Sequence, residues 1–241
     1  MKKVLLIIPA YNEEGSIEKT VRTIEAYRST TVLPFELDYV VINDGSKDNT
    51  GLILDKHGFN HIDLVQNLGI GGGVQTGYIY AQRQDYDVAV QFDGDGQHDI
   101  RSIQNVVQPI LANQADFVIG SRFVNKTLEN FQSTVMRRIG INLISNAIKL
   151  TTGKRVYDTT SGYRAANKTV IAYFADHYPV QYPEPESTTR LLKKGFRLKE
   201  VPANMFEREA GVSSISSLKA IFYMTDVLTS IIIAGFLKED A

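Results

Sequence analysis

Short β-branched runs alternate with amphipathic stretches through the first half of the chain, and this alternation confines it to an α/β architecture. Residues 4–8, 37–42, 62–65, 88–92 and 117–119 read as strands buried on both faces, with helical patterns over 13–27, 48–56, 73–83 and 100–113 between them. The order predicts a doubly wound, mostly parallel sheet flanked by helices. In such a sheet ligands collect at the carboxyl ends of the strands. Three polar clusters fall there: Tyr11-Asn12-Glu13, Asn43-Asp44-Gly45-Ser46 and Asp93-Gly94-Asp95. After Ser121-Arg122 the pattern changes to a polar segment over 125–133, a helix over about 135–150 and shorter irregular elements up to Pro202. No internal repeat or low-complexity segment interrupts it. With 241 residues and 43% hydrophobic content, the chain suits one core.

Composition narrows the chemistry. Lys and Arg number 26 against 27 Asp and Glu, a net charge of -1 that supplies no field for nucleic acid. There is no cysteine, so disulfides, thiolate metal sites and a cysteine nucleophile are excluded and any metal falls to carboxylates, amides or the four histidines. Hard ions follow, Mg²⁺ or Mn²⁺. The apolar run at the N-terminus stops at Pro9 and is followed by Glu13 and Glu14, so it reads as a buried strand rather than a signal peptide. No stretch reaches the ~18–20 uninterrupted apolar residues of a spanning helix, and a cytoplasmic location is expected.

The strongest local signal is Asp93-Gly94-Asp95-Gly96-Gln97 directly after a strand. Two carboxylates one residue apart at a strand end converge on one hard cation, which clamps a diphosphate; the plain alternative is an Asp-Gly turn. Asp44 suits a base or ribose, or an Asx turn, and Asp48 suits the N-cap of the following helix. Gly69 and Gly71-Gly72-Gly73 open a helix but match neither the dinucleotide fingerprint nor a Walker A loop.

Together these clusters resemble the family 2 glycosyltransferases of the GT-A fold. The matching pieces occur in family order over residues 4 to about 215: Pro9-Ala10-Tyr11-Asn12-Glu13-Glu14, Asn43-Asp44-Gly45-Ser46, Asp93-Gly94-Asp95-Gly96-Gln97-His98, Gly120-Ser121-Arg122 and Asp158-Thr159-Thr160-Ser161-Gly162-Tyr163-Arg164. Gln97-His98 and the Ser-Gly-Tyr-Arg segment are most similar to the dolichol-phosphate mannose synthase and polyprenyl-phosphate glycosyltransferase branch. The resemblance implies inverting transfer from a UDP- or GDP-sugar onto a polyprenyl phosphate at the inner membrane face, for cell-envelope glycan assembly. By matched position it implies that Pro9, Ala10, Tyr11, Glu13, Asp44 and Asp93 bind the donor and that Asp93, Asp95 and Gln97 hold the metal. Asp95, Arg122 and Asp158 become the candidate catalytic residues. Arg164, Glu186, Arg208, Ser213 and Ser214 become candidates for the acceptor or its phosphate. Asp158 has three readings: orienting the acceptor, orienting Arg164, or accepting a proton from a hydroxyl acceptor. Two departures stand out: Ser214 replaces a lysine of the branch's Arg-x-x-Gly-x-Ser-Lys segment, and Asp99 replaces a proline.

The division expected is a catalytic unit over 1–212, with a nucleotide-sugar half over 1–122 and an acceptor half over 123–212, followed by an amphipathic helix in 213–241. Over 216–237, Ser216, Lys219, Tyr223, Asp226 and Ser230 share one helical stripe. About 22 residues make a helix roughly 33 Å long, but Lys219 and Asp226 argue against spanning. The helix either docks on a membrane surface, a small membrane protein or a second copy of the chain, or it covers the core. Three rivals remain: extension of a polysaccharide at a sugar hydroxyl, with Asp158, Glu184 or Glu186 as base; a noncatalytic nucleotide-sugar sensor or scaffold; and a nucleotidyltransferase, which lacks the expected glycine-rich, basic triphosphate signature.

Overall fold

A computed structural model describes residues 1–124, 135–206 and 217–236. Among them, seven strands form one sheet in the order β3-β2-β1-β4-β6-β5-β7. They are β1 (Lys3–Ala10), β2 (Glu36–Asn43), β3 (His61–Asp63), β4 (Val88–Gln91), β5 (Phe117–Ser121), β6 (Arg164–Asn167) and β7 (Leu198–Pro202). All pairings are parallel except the two made by β6, which runs antiparallel between β4 and β5.

The helices are α1 (Ile17–Thr30), α2 (Thr50–His57), α3 (Gly69–Arg83), α4 (Ile103–Leu111), α5 (Val135–Thr152), α6 (Lys168–His177), α7 (Pro183–Lys193) and α8 (Ser217–Phe236). They cover both faces of the sheet. Along β1, Val4, Leu6 and Ile8 join Ile17, Val21 and Ile24 of α1 and Ile103 and Val106 of α4 in one core. Leu5 and Ile7 point the other way, to Val74 and Tyr78 of α3, Phe174 of α6 and Val227 and Ile231 of α8. Opposite faces take alternate residues, and both being covered explains why β1 reads as an unbroken apolar run.

Several boundaries differ from the sequence reading. The strand expected over 62–65 is only His61–Asp63, because it is a sheet edge paired with β2 alone, and Val65 is fully exposed. The first helix starts at Ile17 rather than 13, since Asn12 adopts φ 56° and its amide donates to Ser46 Oγ. Glu13 N donates to Thr50 Oγ1 and Lys47 N to Asn12 Oδ1, so the first two rim loops are stitched together. The cap of α2 is Asn49 rather than Asp48; Asp48 instead accepts from the Thr50 amide and hydroxyl. The glycine run belongs to the first turn of α3, where a side chain at Gly71 would collide with the carbonyls of Pro179 and Val180. The supposedly irregular second half contributes β6 and β7 to the same sheet.

The C-terminal helix packs on α5 and α7. Val227 and Ile231 are buried, whereas Ile232, Ile233 and Phe236 are exposed. One face thus covers the core. No helix among the described residues is long and apolar enough to cross a membrane.

Candidate active site

Strand direction gathers the site. The register pairs Ala10 with Asn43 and Ile7 with Gln91, so β1, β2 and β4 end at one rim. Antiparallel β6 pairs its first residue, Arg164, with Gln91, and the segment leading into it therefore approaches that rim from the opposite direction. β5 and β7 end there together through the Ser121–Pro202 pair.

On the donor side, Pro9 and Ala10 are buried and Tyr11 is exposed. A side chain at Gly73 would lie 3.8 Å from Pro9 Cβ and 3.9 Å from Asp44 Cβ, which places all three at one point. The Asp44 carboxylate accepts from Leu68 N at 2.7 Å and from Asn67 Nδ2 at 3.1 Å. Burial raises its pKa, opposed by the amides of Leu68 and Gly69. Glu13 accepts from Ser16 Oγ at 2.6 Å. Beside these lies an open groove of about 760 Å³, lined by Tyr11, Asn43, Lys47, Asp63 and Asn67 among others.

The loop after β4 carries the two carboxylates. Asp95 is buried and its Oδ1 accepts from Gln97 N at 3.0 Å; Gln97 Nε2 donates to Phe206 O at 3.4 Å. That donation assigns the remaining amide atom, Oε1, as the one a cation would use. The loop is also fastened at its far end by a His98–Met205 bridge and by Phe206 N donating to Gln97 O.

His98, which the sequence reading gave no role, organises Asp93. Its Nδ1 accepts from the Asp93 amide at 3.0 Å, so the neutral ring carries its proton on Nε2, 3.4 Å from Asp93 Oδ2. The imidazole stacks on Tyr163 with centroids 4.8 Å apart. Burial lowers its pKa to about 4, against the pull of Asp95. Gly162 presses on the same carboxylate: a Cβ there would stand 2.7 Å from Asp93 Oδ2. The empty space of a glycine is thus what the carboxylate occupies.

Asp93, Asp95 and Gln97 bring side-chain oxygens, the hard donors, to one loop. Among the described residues no cluster of three or more His, Cys, Asp or Glu forms a closed metal cage. An Mg²⁺ or Mn²⁺ ion that takes one or two carboxylates and fills its other positions with phosphate and water fits such a set.

Arg122 and Asp158 form a buried, two-pronged pair, Nε to Oδ2 at 2.8 Å and Nη2 to Oδ1 at 2.6 Å, with Arg122 N also donating to Oδ2 at 2.9 Å. The geometry adds an arrangement outside the three readings of Asp158: it orients Arg122. Glu200, unnoticed in the sequence, holds this loop by accepting from the amides of Tyr157 and Asp158 at 2.8 Å each.

Arg164 has no exposed surface. It donates to the carbonyls of Ser161 and Glu184 and to the hydroxyls of Ser187 and Thr188, tying β6 to the start of α7. The acceptor-phosphate contact expected of it is corrected on this geometry, because a sealed guanidinium meets no ligand. Glu186 pairs with Arg190 one helical turn on at 2.7 Å. For Glu184, burial raises the pKa, Arg164 and a Gln91 hydrogen bond oppose the rise, and the Asp93 charge adds to it. Arg208, Ser213 and Ser214 lie outside the described residues.

Known proteins share this architecture. The glycosyl transferase family 2 model matches residues 5–174. The UDP-N-acetylglucosamine–dolichyl-phosphate N-acetylglucosaminyltransferase of Methanococcus voltae is 32% identical, over 83% of this chain and 84% of that protein. The polyprenol monophosphomannose synthase of Mycolicibacterium smegmatis is 30% identical, over 89% of this chain and 82% of that one. Among solved structures, glucosyl-3-phosphoglycerate synthase from Mycobacterium tuberculosis, in complex with Mn²⁺, UDP-glucose and phosphoglyceric acid, superposes with a TM-score of 0.65 at 16% identity, covering 99% of this chain and 81% of that one. The sheet is of the GT-A type, and the chain belongs to glycosyl transferase family 2.

Proposed function

We propose that this glycosyltransferase moves a sugar, with inversion, from a nucleoside-diphosphate sugar to a polyprenyl phosphate at the cytoplasmic membrane face. The observation that carries the reading is that β4, which leads to Asp93 and Asp95, and β5, which leads to the Arg122–Asp158 pair, end at one rim. The names of the relatives support the acceptor, the one in Methanococcus specifying dolichyl phosphate and the one in Mycolicibacterium a polyprenol monophosphomannose product.

Pro9, Tyr11 and Asp44 border the nucleoside, and Glu13 fixes the loop that carries Tyr11. Held by Asp93, Asp95 and Gln97, an Mg²⁺ or Mn²⁺ ion would neutralise charge on the diphosphate leaving group. Arg122 is kept at the end of β5 by Asp158, which takes its Nε and Nη2, and the positive charge of the guanidinium favours a phosphate brought to the rim. An acceptor phosphate oxygen attacks the anomeric carbon from the face opposite the diphosphate; the bond from that carbon to the diphosphate oxygen breaks, and its electron pair leaves with the nucleoside diphosphate. An acceptor that is already anionic needs no general base, which agrees with an Asp158 committed to Arg122.

One observation favours a second reading. Glu184 is a carboxyl whose pKa burial raises, a suitable base for a sugar-hydroxyl acceptor.

The test is transfer by the purified chain from a panel of nucleotide sugars to polyprenyl phosphate with Mg²⁺ or Mn²⁺, with Asp95→Ala as control. A sugar-phosphate lipid made by the parent and absent with the variant supports the proposal and names the donor. Consumption of donor with glycan acceptors only, lost in Glu184→Gln while donor binding is retained, replaces it with the second reading.

A further inference from the structure

The outer surface of α5 and the turn that follows it combine two properties that ordinary solvated helices keep apart. Ile139, Leu143 and Leu150 are exposed at 49%, 47% and 79%, and they follow helical spacing along one side. Arg138 and Lys149 are exposed on the same helix, and Lys154 and Arg155 just beyond it. From residue 134 to 157 the sequence contains no Asp or Glu. The turn ends in Tyr157, half-exposed at 52%, with the Arg155 guanidinium 5.2 Å from its ring centre.

α8 extends this surface. A side chain at Gly235 would collide with Thr151 of α5, so the two helices touch there. Leu150 and Phe236, each next to a contact residue, are 79% and 70% exposed, and Ile232 and Ile233 are half-exposed on α8. The apolar side chains of both helices therefore flank a single crossing.

We propose that this α5–α8 surface docks on an anionic lipid bilayer. Charge complementarity selects the occupant. The cations of α5 and its turn, with no acidic residue from 134 to 157 and with Asp226 as the acidic residue of α8, suit a sheet of negatively charged headgroups, and the neighbouring aliphatic and aromatic side chains suit the boundary between headgroups and acyl chains. The surface also leads to the candidate active site: Tyr157 is followed in the chain by Asp158, which holds Arg122, and both the Tyr157 and Asp158 amides are anchored by Glu200. A phosphate carried by a membrane lipid would meet the protein beside the Arg122–Asp158 pair. The inference assigns docking to α5 jointly with the C-terminal helix, and it rests on the proposed function only for the identity of that lipid phosphate.

The experiment is co-sedimentation of the full chain with vesicles of phosphatidylcholine alone or with 30 mol% phosphatidylglycerol. Binding is expected to the anionic vesicles, weakening as salt rises. Lys154→Gln with Arg155→Gln is expected to lower the partition coefficient roughly thirtyfold, at roughly fivefold per basic residue. Leu150→Ser with Phe236→Ser is expected to lower it further, with the far-ultraviolet circular dichroism unchanged. Transfer to a short-chain isoprenyl phosphate dispersed in detergent should be unchanged in the Lys154→Gln/Arg155→Gln protein, while transfer to a long-chain acceptor in vesicles falls. Equal binding to neutral and anionic vesicles, or undiminished binding by both double variants, overturns the proposal. So does a parent chain that binds no vesicle but forms a dimer dissociated by Leu150→Ser, which would make the surface an interface between copies. Vesicle binding that follows the charge pattern without any lipid-phosphate transfer leaves docking standing and removes the proposed acceptor instead.

Discussion

Gly162→Ala tests the idea that Asp93 is held by the space a glycine leaves. The added Cβ would lie 2.7 Å from Oδ2 and 3.0 Å from Oδ1 of Asp93. A comfortable contact is about 3.5 Å, so the carboxylate must retreat by roughly 0.5–0.8 Å. It cannot swing freely, because His98 holds both its amide and its carboxylate. Gly162 is not among the glycines with positive φ, so alanine meets no backbone penalty and the collision acts alone. A displacement near 1 Å costs on the order of 10²-fold in rate, and loss of support behind a metal ligand costs about 10–100-fold in affinity. The expected result is therefore a roughly 10- to 100-fold fall in kcat/KM for donor turnover with a comparable rise in the Mn²⁺ concentration for half-activation. The overpacking itself should cost about 1–3 kcal/mol, seen as a melting temperature several degrees lower. Gly15→Ala is the control, since no heavy atom lies within 4 Å of its added Cβ. A Gly162→Ala protein whose Mn²⁺ dependence and kcat/KM stay within about twofold of the parent would refute the argument, for it would mean that the carboxylate moves aside without consequence.

Two further outcomes follow from the same loops. His98→Phe keeps a ring against Tyr163 but removes both contacts to Asp93, so Mn²⁺ affinity measured by titration calorimetry should weaken about 10- to 100-fold while the melting temperature moves little. Asp158→Asn takes the charged partner from an arginine that is 6% exposed, and urea unfolding should report a loss of about 3–5 kcal/mol with Mn²⁺ affinity unchanged.

The sequence is most readable where both faces of a strand are buried. β1, β2, β4 and β5 are runs of Val, Ile, Leu and Phe, whose periodicity needs no knowledge of their neighbours. β6 reads Arg-Ala-Ala-Asn and β7 carries Lys199 and Glu200, so neither has a local strand pattern, and both are set by pairing with partners far along the chain. The same limit governs the site. Asp93 and Asp95 stand out by spacing and by the strand before them, and the structure places both on the loop after β4. Arg164 looks like a ligand-binding cation in the sequence, and only the start of α7 reveals that its donors are spent internally. His98 sits one residue past Gln97, a position that signals proximity to the cluster, but its grip on Asp93 depends on the loop doubling back. Glu200 acts across the sheet with no spacing in the chain to announce it, and Gly162 falls in a quoted motif whose bearing on Asp93 only the fold reveals.

The insertion of β6 between β4 and β5 also fixes an order of assembly during synthesis. Strands β1 to β4 can pair among themselves once residue 91 has emerged, whereas both partners of β5 come later in the chain. Until β6 arrives, β4 is an open edge, His98 lacks the Tyr163 ring and Asp93 lacks the backstop of Gly162. A nascent chain ending near residue 121 would therefore carry both Asp93 and Asp95 without the contacts that hold Asp93 in place. Closing the sheet depends on contacts distant in sequence, a slow kind of folding step, and it would be this late closure that turns a nucleotide-sized cleft into a competent one.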